Sequence, residues 1–163
     1  MILENYKVFL DKLIGDIEEK GIDISSFNLD HFGYQCFSNE DYDKLKPEFE
    51  KIAKLVSENM VGGRRVGIFK LNAPLEYKNW KIPAVELVAP KEGQNCPSAL
   101  EHAEFVIDED FDSFVKKYPN FSWDLTAVNQ PTFPMVKLKL SEYTQAKFHY
   151  KPVLEIVEAE KND

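Results

Sequence analysis

The chain has 163 residues and a mass of 18.9 kDa, enough for one well-packed domain or for two small halves that share a core, and too little for two independent enzymes. A formal net charge of −8 and a pI near 5.0 argue against a protein that binds nucleic acid through a basic face. With 44% hydrophobic and 29% charged residues, the composition excludes a disordered or fibrous chain. Residues 1–20 mix acids and lysines with apolar residues, so we expect no signal peptide, no membrane span and a cytoplasmic protein.

The first third of the chain predicts a helix, a strand and a second helix. Residues 4–20 repeat apolar side chains every three or four positions, which indicates a helix with one buried face, and Gly21 is placed to end it. A strand is predicted over 29–37. The segment 41–60 returns to helical spacing and is predicted as one helix, in which Pro47 lies in the first turn or marks a kink.

The remaining elements predict a repeat. Residues 66–77 and 82–90 have the β-branched and aromatic content of strands. The second half then runs strand, helix, strand, strand over residues 100–108, 109–119, 134–141 and 145–152. A repeated order of elements predicts a duplicated βαββ or βαβββ module, in which equivalent residues meet about a pseudo-twofold axis.

These elements predict an α+β fold in a single domain over residues 1–163. Its parts are an N-terminal helix (1–21), two βαβββ-type modules (28–90 and 99–152) and a C-terminal segment (153–163). Pro152 is placed to open a helix in that last segment. The Pro- and Asn-rich stretch 119–134, which contains Trp123, is predicted as a loop that covers a cavity, and the predicted core includes Tyr34, Trp80, Phe105 and Phe148.

Two histidines have the same surroundings in sequence. His31 follows Asp30 at the start of the first strand, and His102 follows Glu101 in the strand that opens the second module. Because strand residues alternate between faces, Glu104 shares a face with His102, and both modules present a polar face in mid-domain. Buried polar groups without partners are costly, so such a face indicates a wet cavity or a bound ion.

A third polar residue, Glu86, lies inside the apolar run 84-AVELVAP-90 and also requires a partner or a cation. Its counterpart in the second module is either His149 or Glu155. We prefer His149, because it lies on a predicted strand whereas Glu155 falls in the predicted C-terminal helix. The predicted ligands of one divalent ion (Zn, Ni, Co, Mn or Fe) are therefore His31, Glu86, His102 and His149. His31, Glu86 and His102 alone could also form a two-His, one-carboxylate site with open positions.

Five segments carry a resemblance to a known family. They are 29-LDHFGYQC-36, 57-SENMVGGRRVGIFKLNAPL-75, 82-IPAVELVAP-90, 100-LEHAEFVI-107 and 147-KFHYKP-152. Together they resemble the YecM-like proteins, bacterial proteins of the vicinal oxygen chelate (glyoxalase/dioxygenase) superfamily, over about the whole chain. The resemblance implies paired βαβββ modules around an open cavity, commonly with one divalent metal.

The resemblance also implies a range of chemistry. Lactoylglutathione lyase, extradiol dioxygenases and methylmalonyl-CoA epimerase belong to this superfamily. In the lyase the ligand order is His, Glu, His, Glu, so His31, Glu86 and His102 fit the first three places, and His149 in the fourth departs from the pattern. The shared mechanism it implies is chelation of two substrate oxygens by the metal, with Glu104 as general base or further ligand.

We therefore expect a metal-dependent lyase, isomerase or dioxygenase-like enzyme acting on a small oxygenated substrate, with Gln35 and Arg64 or Arg65 orienting an anionic group. The alternative is a protein of the same fold that sequesters a small ligand without catalysis. Neither nucleic acid nor membrane is an expected partner, and two modules in one chain permit a monomer or a homodimer. Cys36 and Cys96 are expected to be reduced thiols.

Overall fold

A computed structural model describes residues 2–162, so Met1 and Asp163 of the predicted domain lie outside the described residues. Within this range the chain forms four helices and eight strands. The helices are α1 (Tyr6–Glu19), α2 (Asn39–Glu50), α3 (Phe111–Lys116) and α4 (Val153–Lys161). The strands are β1 (Asn28–Gln35), β2 (Ala53–Val61), β3 (Arg64–Tyr77), β4 (Trp80–Val88), β5 (Ala99–Val106), β6 (Trp123–Asp124), β7 (Met135–Lys139) and β8 (Gln145–His149).

All eight strands belong to one sheet, in the order β2-β3-β4-β1-β5-β8-β7-β6. In the first module β1 pairs with β4 in parallel, and in the second β5 pairs with β8 in parallel. The two modules meet through the antiparallel pair β1 and β5. Each module therefore runs βαβββ, and the predicted fold class is confirmed.

The helix predicted over 41–60 is wrong in its second half. Helix α2 ends at Glu50, and the chain continues as strand β2, which pairs along its length with β3. The apolar residues of this segment fit both a helical and a strand period after Ile52, so the sequence pattern alone does not separate the two. The hydrogen bonds offered by β3 decide the outcome.

The stretch 119–134 contains the short strand β6 in addition to loop. Trp123 of β6 packs edge-on against Phe114 and Phe148, while the Phe133 ring lies 4.8 Å from the His149 ring. One end of this segment therefore joins the core and the other covers His149.

Helices α1, α2 and α3 pack on one face of the sheet through aromatic contacts. Tyr6 of α1 stacks on Phe32, Phe49 of α2 contacts Tyr34, and Phe114 of α3 contacts Phe148. The four aromatic residues predicted for the core are buried in it or packed against it. The polar residues of β1 and β5 are left on the opposite face.

Across residues 2–162, none of the four helices combines the length and the apolar character needed to cross a bilayer.

Candidate metal centre

Four acidic and imidazole side chains converge where the two modules meet. His31, Glu86, His102 and Glu104 each bring one donor atom to within 4.8 Å of the others, and all four are buried. Glu104 Oε1 lies 3.4 Å from His31 Nε2 and 3.4 Å from His102 Nε2, and Glu86 Oε2 lies 3.0 Å from His102 Nε2. Donors about 2 Å from a common ion are roughly 3 Å apart, so this spacing fits one divalent cation.

Three residues of the cluster have buried donor atoms without a hydrogen-bond partner. Among residues 2–162, the buried side-chain nitrogens and oxygens that lack a hydrogen bond belong to His31 (Nε2), His102 (Nε2), Glu104 (both oxygens) and His149 (both nitrogens). An unsatisfied buried polar atom costs roughly 1–3 kcal/mol. Because three of these atoms, His31 Nε2, His102 Nε2 and Glu104 Oε1, lie close together, a cation between them satisfies all three, and the residues present fit a metal.

A carboxylate holds each of the two facing imidazoles from behind. Asp30 Oδ2 accepts from His31 Nδ1 at 2.7 Å, and Glu101 Oε2 accepts from His102 Nδ1 at 2.5 Å. Each bond fixes the tautomer in which Nε2 carries a free lone pair. Carboxylates in this position are the usual support for histidine metal ligands.

Two irregularities in the β1–β5 pairing explain how consecutive residues reach the same place. In a regular strand Asp30 and His31 would point to opposite faces. In β1, Asp30 has no pairing partner on β5, although Leu29 and His31 on either side of it are paired. In β5, Glu101 has no pairing partner on β1, although His102 pairs with Gly33 and Leu100 pairs with Tyr34. Such bulges turn the extra residue towards its neighbour's face, which brings each carboxylate to its imidazole.

Gly33 makes room for the ring of His102. A Cβ added at Gly33 would lie 2.0 Å from His102 Cε1 and 2.5 Å from Nε2, far inside van der Waals contact. The backbone of β1 therefore approaches the His102 ring as closely as only glycine permits. Gly33 is paired with both His102 and Glu86, so it lies at the middle of the site.

The register also decides which residue matches Glu86 in the second module. Phe32 is paired with Ala103, so the approximate twofold axis that relates the modules passes between these two residues. This axis makes His31 the counterpart of His102. It also makes Gly33 the counterpart of Glu104. Gly33 pairs with Glu86, and Glu104 pairs with Lys147. Lys147 thus occupies the position that matches Glu86.

His149 lies two residues further along β8, in a second group with Asp30 and His31. Its Nε2 is 3.3 Å from Asp30 Oδ2 and 3.7 Å from Glu104 Oε2. The same Asp30 oxygen accepts from the Val153 backbone N–H at 2.9 Å. His149 therefore adjoins the four-residue cluster without belonging to it, and Glu155 lies on α4.

The carboxylates and imidazoles of this site shift one another's pKa values towards the charged forms. Burial would raise the pKa values of Asp30 and Glu101, but the neighbouring imidazoles lower both to about 2. Burial would lower the pKa of His102, but Glu101 and Glu104 raise it to about 9. Without a metal the carboxylates are therefore ionised and His102 is protonated at neutral pH.

A cavity of about 500 Å³ opens beside the cluster, at the ends of β1, β5 and β8. Its lining includes Gln35, Glu101 and Gln145. Gln145 Nε2 donates to Glu101 Oε1 at 2.6 Å, so the carboxylate that holds His102 is also part of the cavity wall.

The residues predicted to orient a substrate lie in two different places. Arg64 Nη1 donates to Gln35 Oε1 at 3.3 Å, and both remain near the cavity. Arg65 instead pairs with Asp43 at 2.7 Å and stacks on the Tyr42 ring. Arg65 is thereby directed to helix α2 and away from the cluster.

Comparison with known proteins agrees with this architecture. The profile of the family described as YecM protein matches residues 1–151. The chain belongs to the YecM protein family. The YecM protein of Escherichia coli strain K12 is 33% identical over 90 residues, which are 55% of this chain and 48% of that protein. A protein of Haemophilus influenzae is 26% identical over 100 residues, so the chain spans about half the length of the curated relatives it matches.

Superposition on solved structures identifies the fold of this YecM family member. A structure described as "Structural Genomics, Protein EC4020" superposes with a TM-score of 0.79 at 26% identity and covers 98% of this chain and 91% of its own. A Bacillus subtilis protein described as a "putative dioxygenase" superposes with a TM-score of 0.50 at 9% identity, over 77% of this chain and 41% of its own. The fold is thus of the glyoxalase/dioxygenase type, as the sequence resemblance implied.

Proposed function

We propose that this YecM family member binds one divalent metal ion through His31, Glu86, His102 and Glu104 and acts on a small oxygenated substrate as a lyase, isomerase or oxygenase. The observation that carries the proposal is the convergence of His31 Nε2, His102 Nε2 and Glu104 Oε1, all buried and without hydrogen-bond partners among the described residues. An ion held there would supply Lewis acidity to a ligand with two neighbouring oxygens.

The chain's own residues prepare the site for that role. Asp30 and Glu101 hold the two imidazoles with Nε2 directed inwards. Glu104 was predicted as general base or further ligand, and its position between the two Nε2 atoms supports the ligand role. Burial would raise the pKa of Glu104, but His31 and the other cationic neighbours lower it well below its usual range, which makes the carboxylate a weak base.

Metal analysis of purified variants tests the assignment. We expect stoichiometric metal in the wild type and in His149→Asn, and loss of metal in His31→Ala and His102→Ala. His149→Asn is the matched control, because it removes a buried imidazole that lies outside the four-residue cluster. Circular dichroism establishes that each variant is folded. Loss of metal from His149→Asn with retention by His31→Ala would reverse the assignment.

A non-catalytic binding protein is the second candidate, and burial favours it. The side chains of His31, His102 and Glu104 are at most 1% exposed, whereas that of Glu86 is 12% exposed. Access to an ion is therefore restricted to one side, a feature that suits retention of a ligand. Substrate screening of the metal-loaded protein separates the candidates: turnover supports the enzyme, and tight binding of unchanged compound supports the binder.

A further inference from the structure

Lys147 introduces a cation at the position in the second module that matches Glu86. It lies on β8 directly opposite Glu104, and its Nζ is 3.6 Å from Glu104 Oε1. Its side chain is 9% exposed, which is uncommon for lysine unless the ammonium group has a partner. The two modules therefore present groups of opposite charge at equivalent places, Glu86 on one side and Lys147 on the other.

Glu86 and Lys147 are also more exposed than the other donors of the cluster. Glu86 and Lys147 retain 12% and 9% side-chain exposure, against at most 1% for His31, His102 and Glu104. Gln145, two residues before Lys147 on the same strand face, lines the cavity of about 500 Å³. Along β8, Lys147 is therefore the next residue on this face after Gln145 in the cavity wall.

The carboxylates near Lys147 have other partners: Glu86 and Glu104 are proposed ligands of the ion, and Glu101 lines the cavity while it holds His102. The carboxylates of Asp30 and Glu101 lie behind the imidazoles, each bonded to an Nδ1 atom. The ammonium group of Lys147 has three N–H donors, and at 3.6 Å its contact with Glu104 is an ion pair longer than a hydrogen bond, so these donors remain available to a ligand. A charge-assisted bond in a poorly solvated site is stronger than a neutral one.

We propose that Lys147 is a specificity-determining residue that selects ligands carrying a carboxylate or other anionic oxygen group beside the oxygens presented to the ion. The proposal rests on the metal site proposed above. A carboxylate at position 147 would repel such a ligand, whereas the ammonium group attracts it. The substrate class that follows is small 2-oxo or 2-hydroxy acids and similar anions, in preference to neutral diols or amides.

Ligand binding to the cobalt-loaded protein tests the proposal. Oxalate and oxamide have the same shape and differ in charge, so the ratio of their affinities measures selection for the anion. Lys147→Gln keeps a polar N–H group beside Glu104 and removes the positive charge. We expect Lys147→Gln to lower the oxalate-to-oxamide ratio about tenfold, with cobalt content unchanged, and Lys147→Arg to retain most of the ratio.

Lys54→Met is the control, because Lys54 is an exposed strand lysine of the same sheet and its removal changes the net charge equally. An unchanged ratio in cobalt-loaded Lys147→Gln, or an equal fall in Lys54→Met, would overturn the role of Lys147. A wild-type protein that binds no cobalt would overturn the metal site itself and this inference with it, so the two failures are distinguishable.

Discussion

Gly33 is the residue on which the geometry of the cluster depends most directly, because the His102 ring fills the space that a side chain would occupy. We expect Gly33→Ala to displace this ring and to destabilise the fold by about 1–3 kcal/mol, as overpacking usually does. Metal affinity should fall more than stability does, since displacement of His102 removes one donor and disturbs the contact with Glu86. Chemical denaturation and zinc titration measure the two effects.

Gly15→Ala provides the matched control for that experiment. Gly15 lies in helix α1, and a Cβ there would meet nothing within 4 Å. Alanine at such a position stabilises a helix by roughly 0.5–1 kcal/mol relative to glycine. Full zinc affinity in Gly33→Ala would show that the His102 ring can occupy another position without loss of the site.

Sequence patterns singled out all four clustered residues before the structure brought them together. Strand alternation grouped His102 with Glu104, and the cost of an acid in an apolar run singled out Glu86. Counting residues did not identify the counterpart of Glu86, because 55 positions separate His31 from Glu86 whereas 45 separate His102 from Lys147. Only strand register, set by loop lengths and hydrogen bonds in three dimensions, identifies Lys147.

The bulges in β1 and β5 allow the acid that precedes each facing histidine to reach its imidazole. Alternation places Asp30 and Glu101 on the helix-covered face, where a carboxylate would be unfavourable. The skipped residues in the β1–β5 register remove that conflict. No local sequence pattern at either position announces a bulge, so this support for the imidazoles could not be predicted from the sequence.

Glu101→Gln tests the support that the second bulge provides. The amide keeps the size of the side chain and removes the charge that orients His102, so we expect zinc affinity to fall about 10–100-fold with little change in secondary structure. Competition with a coloured chelator measures the affinity. Glu142→Gln, at an exposed position near β8, should leave it unchanged. Equal zinc affinities for Glu101→Gln and wild type would contradict a role of the Glu101 carboxylate in metal binding.

The segment after Phe49 shows a second limit of sequence patterns. Its apolar residues continued a helical period, yet residues 53–61 form the edge strand β2. The remaining helices and strands were placed within a few residues of their observed ends, because their periodicity and their Pro, Gly and Asn boundaries agreed. Where local signals are ambiguous, pairing with a neighbouring strand determines the structure.

The molecule as a whole places two proposed ligands on each side of the boundary between its modules. His31 and Glu86 belong to β1 and β4, and His102 and Glu104 belong to β5. An ion bound by all four would add a link across the β1–β5 pairing. Ligands that bind the folded state alone stabilise it in proportion to the logarithm of their concentration.

The stabilisation by metal should increase with pH. Burial would lower the pKa of His31, but Glu104 and Asp30 raise it well above its usual value, and the pKa of His102 is raised to about 9. In the metal-free protein this contribution to stability is complete below the unfolded pKa of about 6.5 and is lost as pH rises through the folded pKa. Metal requires the unprotonated imidazoles. We therefore expect the zinc-induced rise in Tm to be larger at about pH 8.5 than at about pH 6.

Thermal unfolding with saturating zinc or with a chelator, at matched ionic strength, measures this increase. His31→Ala serves as the control and should show a small zinc effect at both pH values. A zinc-induced rise in Tm that stays constant or shrinks as pH increases would contradict proton displacement from the two imidazoles.

Glu86 and Lys147 occupy equivalent positions in the two modules, and this arrangement bears on how a duplicated chain diversifies. Because each module supplies its own contribution, one codon in β8 can invert the charge presented beside the cluster while the donors from β1, β4 and β5 stay in place. If the proposed roles hold, we expect ligand preference and ion retention to respond to different substitutions in this chain.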